Sequence, residues 1–189
     1  MWYRPGYGPE LDSLRQAIRK YRPGALPVPG QTSDRTRLFR KPVVASSWFA
    51  VAIVDTLLQF AAKVRLLRSR GEVVICDRYV EDALIDLSLS FPEIVERHRN
   101  ALSVLTYLCP RPNLQILLLL EESEAIDRAA RKREPFPDAE SVRKMRYQAY
   151  SKLARRSSFL VVDGGAPIGE VADSILNALS GAGVLDERP

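Results

Sequence analysis

The stretch Glu72-Val73-Val74-Ile75-Cys76-Asp77-Arg78-Tyr79 decides the fold. Its apolar, β-branched residues run straight into an acid, a base and a tyrosine. Apolar residues on successive rather than alternate positions fit a strand buried on both faces of a parallel sheet, with polar groups delivered at its carboxyl end. The same form returns at Leu114 to Leu120, followed by Glu121-Glu122, and at Phe159-Leu160-Val161-Val162, followed by Asp163-Gly164-Gly165. Helical patterns cover 80–89, 93–108, 122–132, 138–155 and 168–179. Strands alternating with helices predict an α/β fold: a parallel sheet with helices on both faces, joined by right-handed crossovers. Open sheets of this kind bind ligands beyond the carboxyl ends of their strands, so the strand-end acids and their neighbours are the first candidates for a site.

Upstream, Val43 to about Arg68 holds neither Pro nor Gly and ends in Arg65, Arg68 and Arg70 before Gly71. Basic residues in a last turn followed by glycine mark a helix C-terminus, so this is the longest predicted helix. A shorter one is predicted from Pro9 to Lys20, where Leu11, Leu14, Ala17 and Ile18 recur at helical spacing behind Glu10 and Asp12. The segment 21–42 between them, punctuated by Pro23, Gly24, Pro27, Pro29, Gly30 and Pro42, reads as a long loop.

With 189 residues, 46% hydrophobic and 27% charged, the chain fits a single domain over 1–189 and not a disordered, collagenous or coiled-coil protein. Cys76 and Cys109 lack metal-ligand spacing and are too few for a disulfide scaffold, which fits core thiols in a reducing, cytoplasmic setting. No unbroken apolar run reaches the roughly 18 to 20 residues that span a bilayer, and Met1-Trp2-Tyr3-Arg4-Pro5 does not resemble a secretory leader. No membrane span is therefore expected. A net charge of +5 and a pI near 9.4 favour acidic partners, among them nucleotides, nucleic acid and anionic lipid. The cations are mostly arginine, which suits bidentate phosphate recognition and is equally what a GC-rich genome produces.

Asp77-Arg78 is the sharpest chemical feature. A strand-end aspartate can hold a magnesium ion through water while the adjacent arginine offers a planar fork to a phosphoryl group. The bland alternative is that Asp77 caps the next helix and pairs with Arg78. Arg128, Arg131, Lys132 and Arg133 precede Pro135-Phe136-Pro137 and suit a mobile lid over 128–138 that closes on phosphates. As single residues they equally suit a solvated helix face paired with Asp127 and Glu134. Asp55, Asp82 and Asp86 can line an acceptor pocket or pair with nearby arginines. Trp48 can stack on a base or pack in the core. His98, inside Glu96-Arg97-His98-Arg99, is expected to be exposed and no catalytic base.

These residues resemble the thymidylate kinase family of P-loop nucleoside monophosphate kinases. The resemblance rests on Asp77-Arg78-Tyr79, on Pro112-Asn113-Leu114 leading into the next strand, on the arginines 128 to 133, and on Tyr150 through Ala154. Arg4-Pro5-Gly6 is similar to the family's turn at the acceptor nucleotide, and Asp163 with Gly164, Gly165 and Pro167 to the loop that passes the adenine of ATP. The resemblance implies a three-layer sandwich, ATP and Mg2+ as cofactors, and a nucleotide or phosphorylated small molecule as acceptor. It implies Asp77, Arg78, Arg128, Arg131 and Arg133 as catalytic residues, with Asp77 also at the metal. Arg4, Gly6, Trp48, Asp55, Tyr79 and Asp82 would bind the acceptor, Asp163 and Gly164 the ATP. It also implies a homodimer paired through the apolar face of Val43 to Leu67.

The departures carry as much meaning. Phosphoryl transfer from ATP in this family uses a glycine-rich loop ending in Gly-Lys-Ser or Gly-Lys-Thr, and no Gly-Lys dipeptide occurs here. Trp2-Tyr3-Arg4-Pro5 looks like the end of the family's second strand. The expectation is a chain that begins late, with the first strand and phosphate loop missing and the kinase inactive in this form. The usual serine pair after the Asp-Arg-Tyr motif is replaced around Asp82, and the aromatic-then-arginine pattern of the thymidylate-binding helix is not evident around Ile53 to Thr56. The acceptor is thus left open. Two other functions stay in view: a noncatalytic nucleotide-binding or regulatory module, and a basic nucleic-acid binder using Arg35, Arg37, Arg40 and the arginines 128 to 133. The last ranks lowest, because no nucleic-acid module signature is present and the strand-end acids oppose it.

Overall fold

The computed structural model describes Gln16, Lys20 and residues 41–131 and 139–183. The expectations placed on Arg4, Gly6, Arg133, the loop over 21–40 and the lid over 132–138 lie outside the described residues. Of the helix predicted from Pro9 to Lys20, Gln16 and Lys20 are described, both helical and exposed. The chain divides into two compact units, Met1–Pro110 with Pro135–Pro137, and Arg111–Glu134 with Asp138–Pro189.

The first unit is built on one continuous helix. It begins as α1 (Pro42–Thr56), widens to a π-helical stretch over Leu57–Lys63, and returns as α2 (Val64–Ser69). Pro42 sits at the first helical position, where its missing N–H breaks no hydrogen bond. The helix stops at Gly71, whose φ of 75° lets its N–H and that of Glu72 reach back to the carbonyls of Arg68 and Leu67. The sequence predicted this stop. It did not predict the π stretch, which adds a residue per turn and changes which side chains point inward.

Inward-facing residues of this helix are Ala45, Phe49, Ala52, Phe60 and Val64, together with the polar Asp55, Thr56 and Gln59. They pack with Val80, Ala83 and Leu87 of α3 (Val80–Ser90), with Phe91 ahead of α4 (Pro92–Arg97), and with Leu102 and Leu105 of α5 (Arg99–Leu108). Phe49 meets Phe91 edge to face at 6.2 Å. Arg65 donates to the Leu108 carbonyl at 2.7 Å, so a cation from α2 satisfies the open C-terminus of α5. The single helix expected over 93–108 is broken at His98, whose backbone leaves the helical region between α4 and α5.

Pro42–Ser69 is also long and apolar enough to cross a membrane, by length and composition alone. The sequence criterion of an unbroken apolar run passed over it because Asp55 and Gln59 interrupt the run without lowering its average much. One side of it packs against α3 and the aromatic cluster, while Val43, Val54, Leu58 and Leu66 on its other side are exposed.

The expected strand Glu72–Cys76 is not part of a described ladder; only Asp77 forms an isolated bridge. Nor is it buried on both faces. Val74 and Cys76 pack against the cluster, whereas Val73 and Ile75 are 69% and 74% exposed. Extended backbone turns alternate side chains to opposite sides, and here the helices cover one side only.

The second unit is a small α/β arrangement. Strands β1 (Ile116–Leu119) and β2 (Leu160–Asp163) pair in parallel, with Ile116 opposite Leu160 and Leu119 opposite Asp163. Between them the chain forms α6 (Glu122–Arg131) and α7 (Glu140–Ala154), and α7 packs on β1. After β2 the chain forms α8 (Ile168–Gly181), which packs back on β2. Among the described residues the sheet has two strands, so the α/β class and the parallel pairing hold while the three-layer sandwich is not seen.

The exposure contrast sets up a direct comparison of stabilities. Replacing the fully buried Phe60 by Ala should cost about 3–5 kcal/mol, against about 0.5 kcal/mol or less for Ile75→Thr, by urea denaturation of the whole chain. Equal losses at both sites would show that Ile75 is covered in solution.

Candidate functional site

Arg78 follows the bridge residue Asp77 with a φ of 75°, and among the described residues it is the non-glycine with positive φ. A left-handed backbone costs an L-residue about 1–2 kcal/mol, so surrounding contacts must hold it there. Those contacts are visible on both sides. The Tyr79 N–H donates to the Asp82 carboxylate at 3.0 Å, which caps the start of α3. The Tyr79 ring lies on Phe60 with centroids 4.5 Å apart, and its hydroxyl donates to the Pro110 carbonyl at 2.6 Å. The π-helical stretch that carries Phe60 is therefore in contact with the turn. π-Bulges are frequent at functional sites.

The turn carries the Arg78 side chain to α3, where Nη1 lies 3.5 Å from Asp86 Oδ2. Asp77 is exposed, while Asp55 is fully buried and Trp48 is half-buried against the core cluster. The structure thus brings Asp77, Arg78, Tyr79 and Asp82 together at one helix start. Tyr79 is engaged at both its ring and its hydroxyl, and Asp82 holds the Tyr79 N–H.

The remaining described candidates belong to the second unit. Asp163 ends β2, and its carboxylate accepts the Gly165 N–H at 2.8 Å, a local turn that shapes the loop before α8. The Gly164 N–H donates to the Leu119 carbonyl at 2.8 Å. Arg128 donates to the Gly164 carbonyl at 3.3 Å and pairs with Glu124 at 2.6 Å. A Cβ on Gly165 would lie 3.0 Å from Glu124 Oε2 and 3.2 Å from Asp163 Oδ1, so a larger residue there would require both carboxylates to shift by a few tenths of an ångström. Arg131 is exposed. The sequence offered no sign of Glu124, whose role depends on a loop 36 residues beyond its partner Arg128.

No group of three or more His, Cys, Asp or Glu side chains able to hold a metal occurs among the described residues. A magnesium ion held mostly by water and by substrate phosphates needs only one or two carboxylates, and the exposed Asp77 fits that demand.

No family model matches the chain. Over 108 residues it is 35% identical to a probable thymidylate kinase of Pyrobaculum calidifontis, a match covering 56% of this chain and 53% of the relative. The relationship over that stretch is thymidylate kinase-like. The chain spans about half the length of this curated relative.

Two sulfurs and a phenol lie around the turn. Burial pushes the Cys76 thiol up, and pushes Cys109 up to about 11 against the opposing pull of Arg65. Burial also raises Tyr79, helped by the neighbouring Cys109 and Cys76. Unfolded, thiols ionise near about 8.5 and tyrosine near about 10. These raised values mean that the neutral forms belong to the fold. Stability from Cys109 should be complete below about pH 8.5 and be lost as pH climbs through about 11. Urea midpoints measured from pH 7 to 11 should fall across that window and fall less in Cys109→Ala; a flat profile would contradict the assignment.

Proposed function

We propose that the chain is a thymidylate kinase-like phosphotransferase, built for ATP-dependent transfer to a nucleoside monophosphate or a related phosphorylated acceptor and inactive in this form. The observation that carries this is the left-handed Arg78 beside an exposed Asp77 at the start of α3. The match to a probable thymidylate kinase supports it. Phosphoryl transfer asks a protein for positioning and charge stabilisation and for no protein nucleophile, so arginines at a fixed turn are the expected machinery.

In this proposal Arg78 binds the acceptor phosphate through its guanidinium fork, and Asp77 holds Mg2+ through water. The ion supplies neutralisation of charge on the donor phosphates. Trp48, Asp55, Tyr79 and Asp82 shape the acceptor side. Asp163 and Gly164 lie along the adenine of ATP, and Arg128, Arg131 and Arg133 form the lid. Arg128 is engaged with Glu124 and the Gly164 carbonyl, so it must exchange these partners for phosphate. With no Gly-Lys dipeptide in the sequence, the 189-residue chain binds nucleotide without turning it over, as a noncatalytic binding module would.

The test is calorimetric titration of the chain with nucleoside monophosphates and with the corresponding nucleosides. Monophosphates should bind more tightly, and Arg78→Ala should weaken them by about 10- to 100-fold, the worth of charged hydrogen bonds, while leaving nucleosides unchanged. Equal weakening of both ligands would remove Arg78 from the phosphate. Robust transfer from ATP by the purified chain would refute the absence of turnover.

We further propose that a second copy of the chain covers the outer side of Pro42–Ser69. Val43, Ser47, Ala50, Val54, Leu58, Ala62 and Leu66 recur along that side, all exposed and none charged. Such a stripe with small residues lets two helices approach closely, and one this long is unusual on a monomer surface. Sedimentation should give a dimer for the wild type and a monomer for Leu58→Glu with an unaltered far-UV circular dichroism spectrum; a monomeric wild type would end the proposal.

A further inference from the structure

Asp86 is an acid where α3 otherwise buries Val80, Ala83 and Leu87. Its side chain is 12% exposed, against 37% for its partner Arg78. Removing a carboxylate from water is costly unless a cation and hydrogen bonds compensate, so an apolar residue would serve packing better at this position. Asp82, one turn earlier, already has a structural task at the Tyr79 N–H. Asp77, next to Arg78 in the chain, is exposed. Asp86 is thus the carboxylate that meets the guanidinium, at 3.5 Å.

We propose that Asp86 is the positioning residue for Arg78. It holds one arm of the guanidinium and leaves the rest of the fork to a phosphoryl group. The inference rests on the reading of Arg78 as the phosphate-binding arginine, and it adds the means by which that arginine is aimed. An unrestrained arginine side chain carries about 2 kcal/mol of rotamer entropy, which a ligand would otherwise have to remove on binding. The left-handed backbone fixes where the side chain starts, and Asp86 fixes where it ends. The contact is long, at 3.5 Å, and involves one guanidinium nitrogen, so the rest of the fork stays available to a ligand.

The test uses the whole chain with Asp86→Asn and Asp86→Glu. The first readout needs no nucleotide: 15N relaxation of the Arg78 Nε–Hε group, assigned by its loss in Arg78→Lys. Asp86→Asn should leave the backbone amide spectrum in place and make the Arg78 group mobile, with Asp86→Glu restoring part of its order. An Arg78 group as rigid in Asp86→Asn as in the wild type overturns the proposal. The second readout is the affinity for a nucleoside monophosphate relative to its nucleoside, which Asp86→Asn should lower about tenfold through the phosphate alone. Equal losses for both ligands, with a lowered melting temperature, would make Asp86 merely structural and overturn the proposal. If Asp86→Asn does not fold, Asp86→Leu, which removes the charge and suits the buried face of α3, gives the same two readouts. A wild type that binds neither ligand overturns the nucleotide function, and the order of Arg78 still decides the role of Asp86.

Discussion

Tyr79 joins three parts of the first unit: its N–H caps α3 through Asp82, its ring rests on Phe60, and its hydroxyl reaches the Pro110 carbonyl. Each tie is modest, and a net hydrogen bond contributes only about 1 kcal/mol. Their shared effect is larger, because together they fix the chain immediately after Arg78. An arginine at a φ of 75° relaxes unless both its neighbours are pinned. Asp77 is held by its bridge on one side, and Tyr79 is held by the core on the other. The strained backbone of the candidate site is in this sense a consequence of the hydrophobic cluster beneath it.

The π-helical stretch belongs to the same logic. Asp55, Thr56, Gln59 and Phe60 are spaced by one and four residues, so they share one helix face and are all buried, and the π-helical stretch begins within this run. Thr56 answers part of the polar demand locally, donating its hydroxyl to the Ala52 carbonyl at 2.7 Å. A helix that buries three polar side chains among Phe49, Phe60 and Val64 gives up hydrophobic stabilisation that apolar residues would have supplied. Such a loss beside a strained arginine is the pattern expected where a site is built into a core.

Legibility from the sequence followed how local each determinant is. The long helix was legible because its stop is written in consecutive residues, Arg68 to Gly71, and the strands β1 and β2 because apolar runs end abruptly in acids and glycines. The segment 72–76 misled for a physical reason. Its run of apolar residues matches a doubly covered strand, but the helices supply one cover, and Val73 and Ile75 face outward. The position of the Asp77-Arg78-Tyr79 motif was legible, whereas the left-handed turn was not, because nothing in an arginine foretells a positive φ. The partner of Tyr79 lies 31 residues away and the Gly164 partner of Arg128 lies 36 away, and such pairings are settled only by the fold.

Arg78 and Arg128 show how one side-chain chemistry is put to different use by its surroundings. Arg128 pairs with a carboxylate one turn away on its own helix, whereas Arg78, ahead of α3, meets one eight residues further on. The Asp86 side chain is 12% exposed, and that of Glu124 is 42% exposed. In water the Glu124 pair is screened and easily exchanged, and its short distance adds little because both side chains lose rotamer freedom to hold it. The shielded Asp86 carboxylate interacts with the cation beside it through less water than the exposed Glu124 does. A cation held this way is placed in advance, while one held at the surface can change partners. The same guanidinium chemistry is thus restrained in one unit and left exchangeable in the other, and the difference lies in how far each carboxylate is shielded from water.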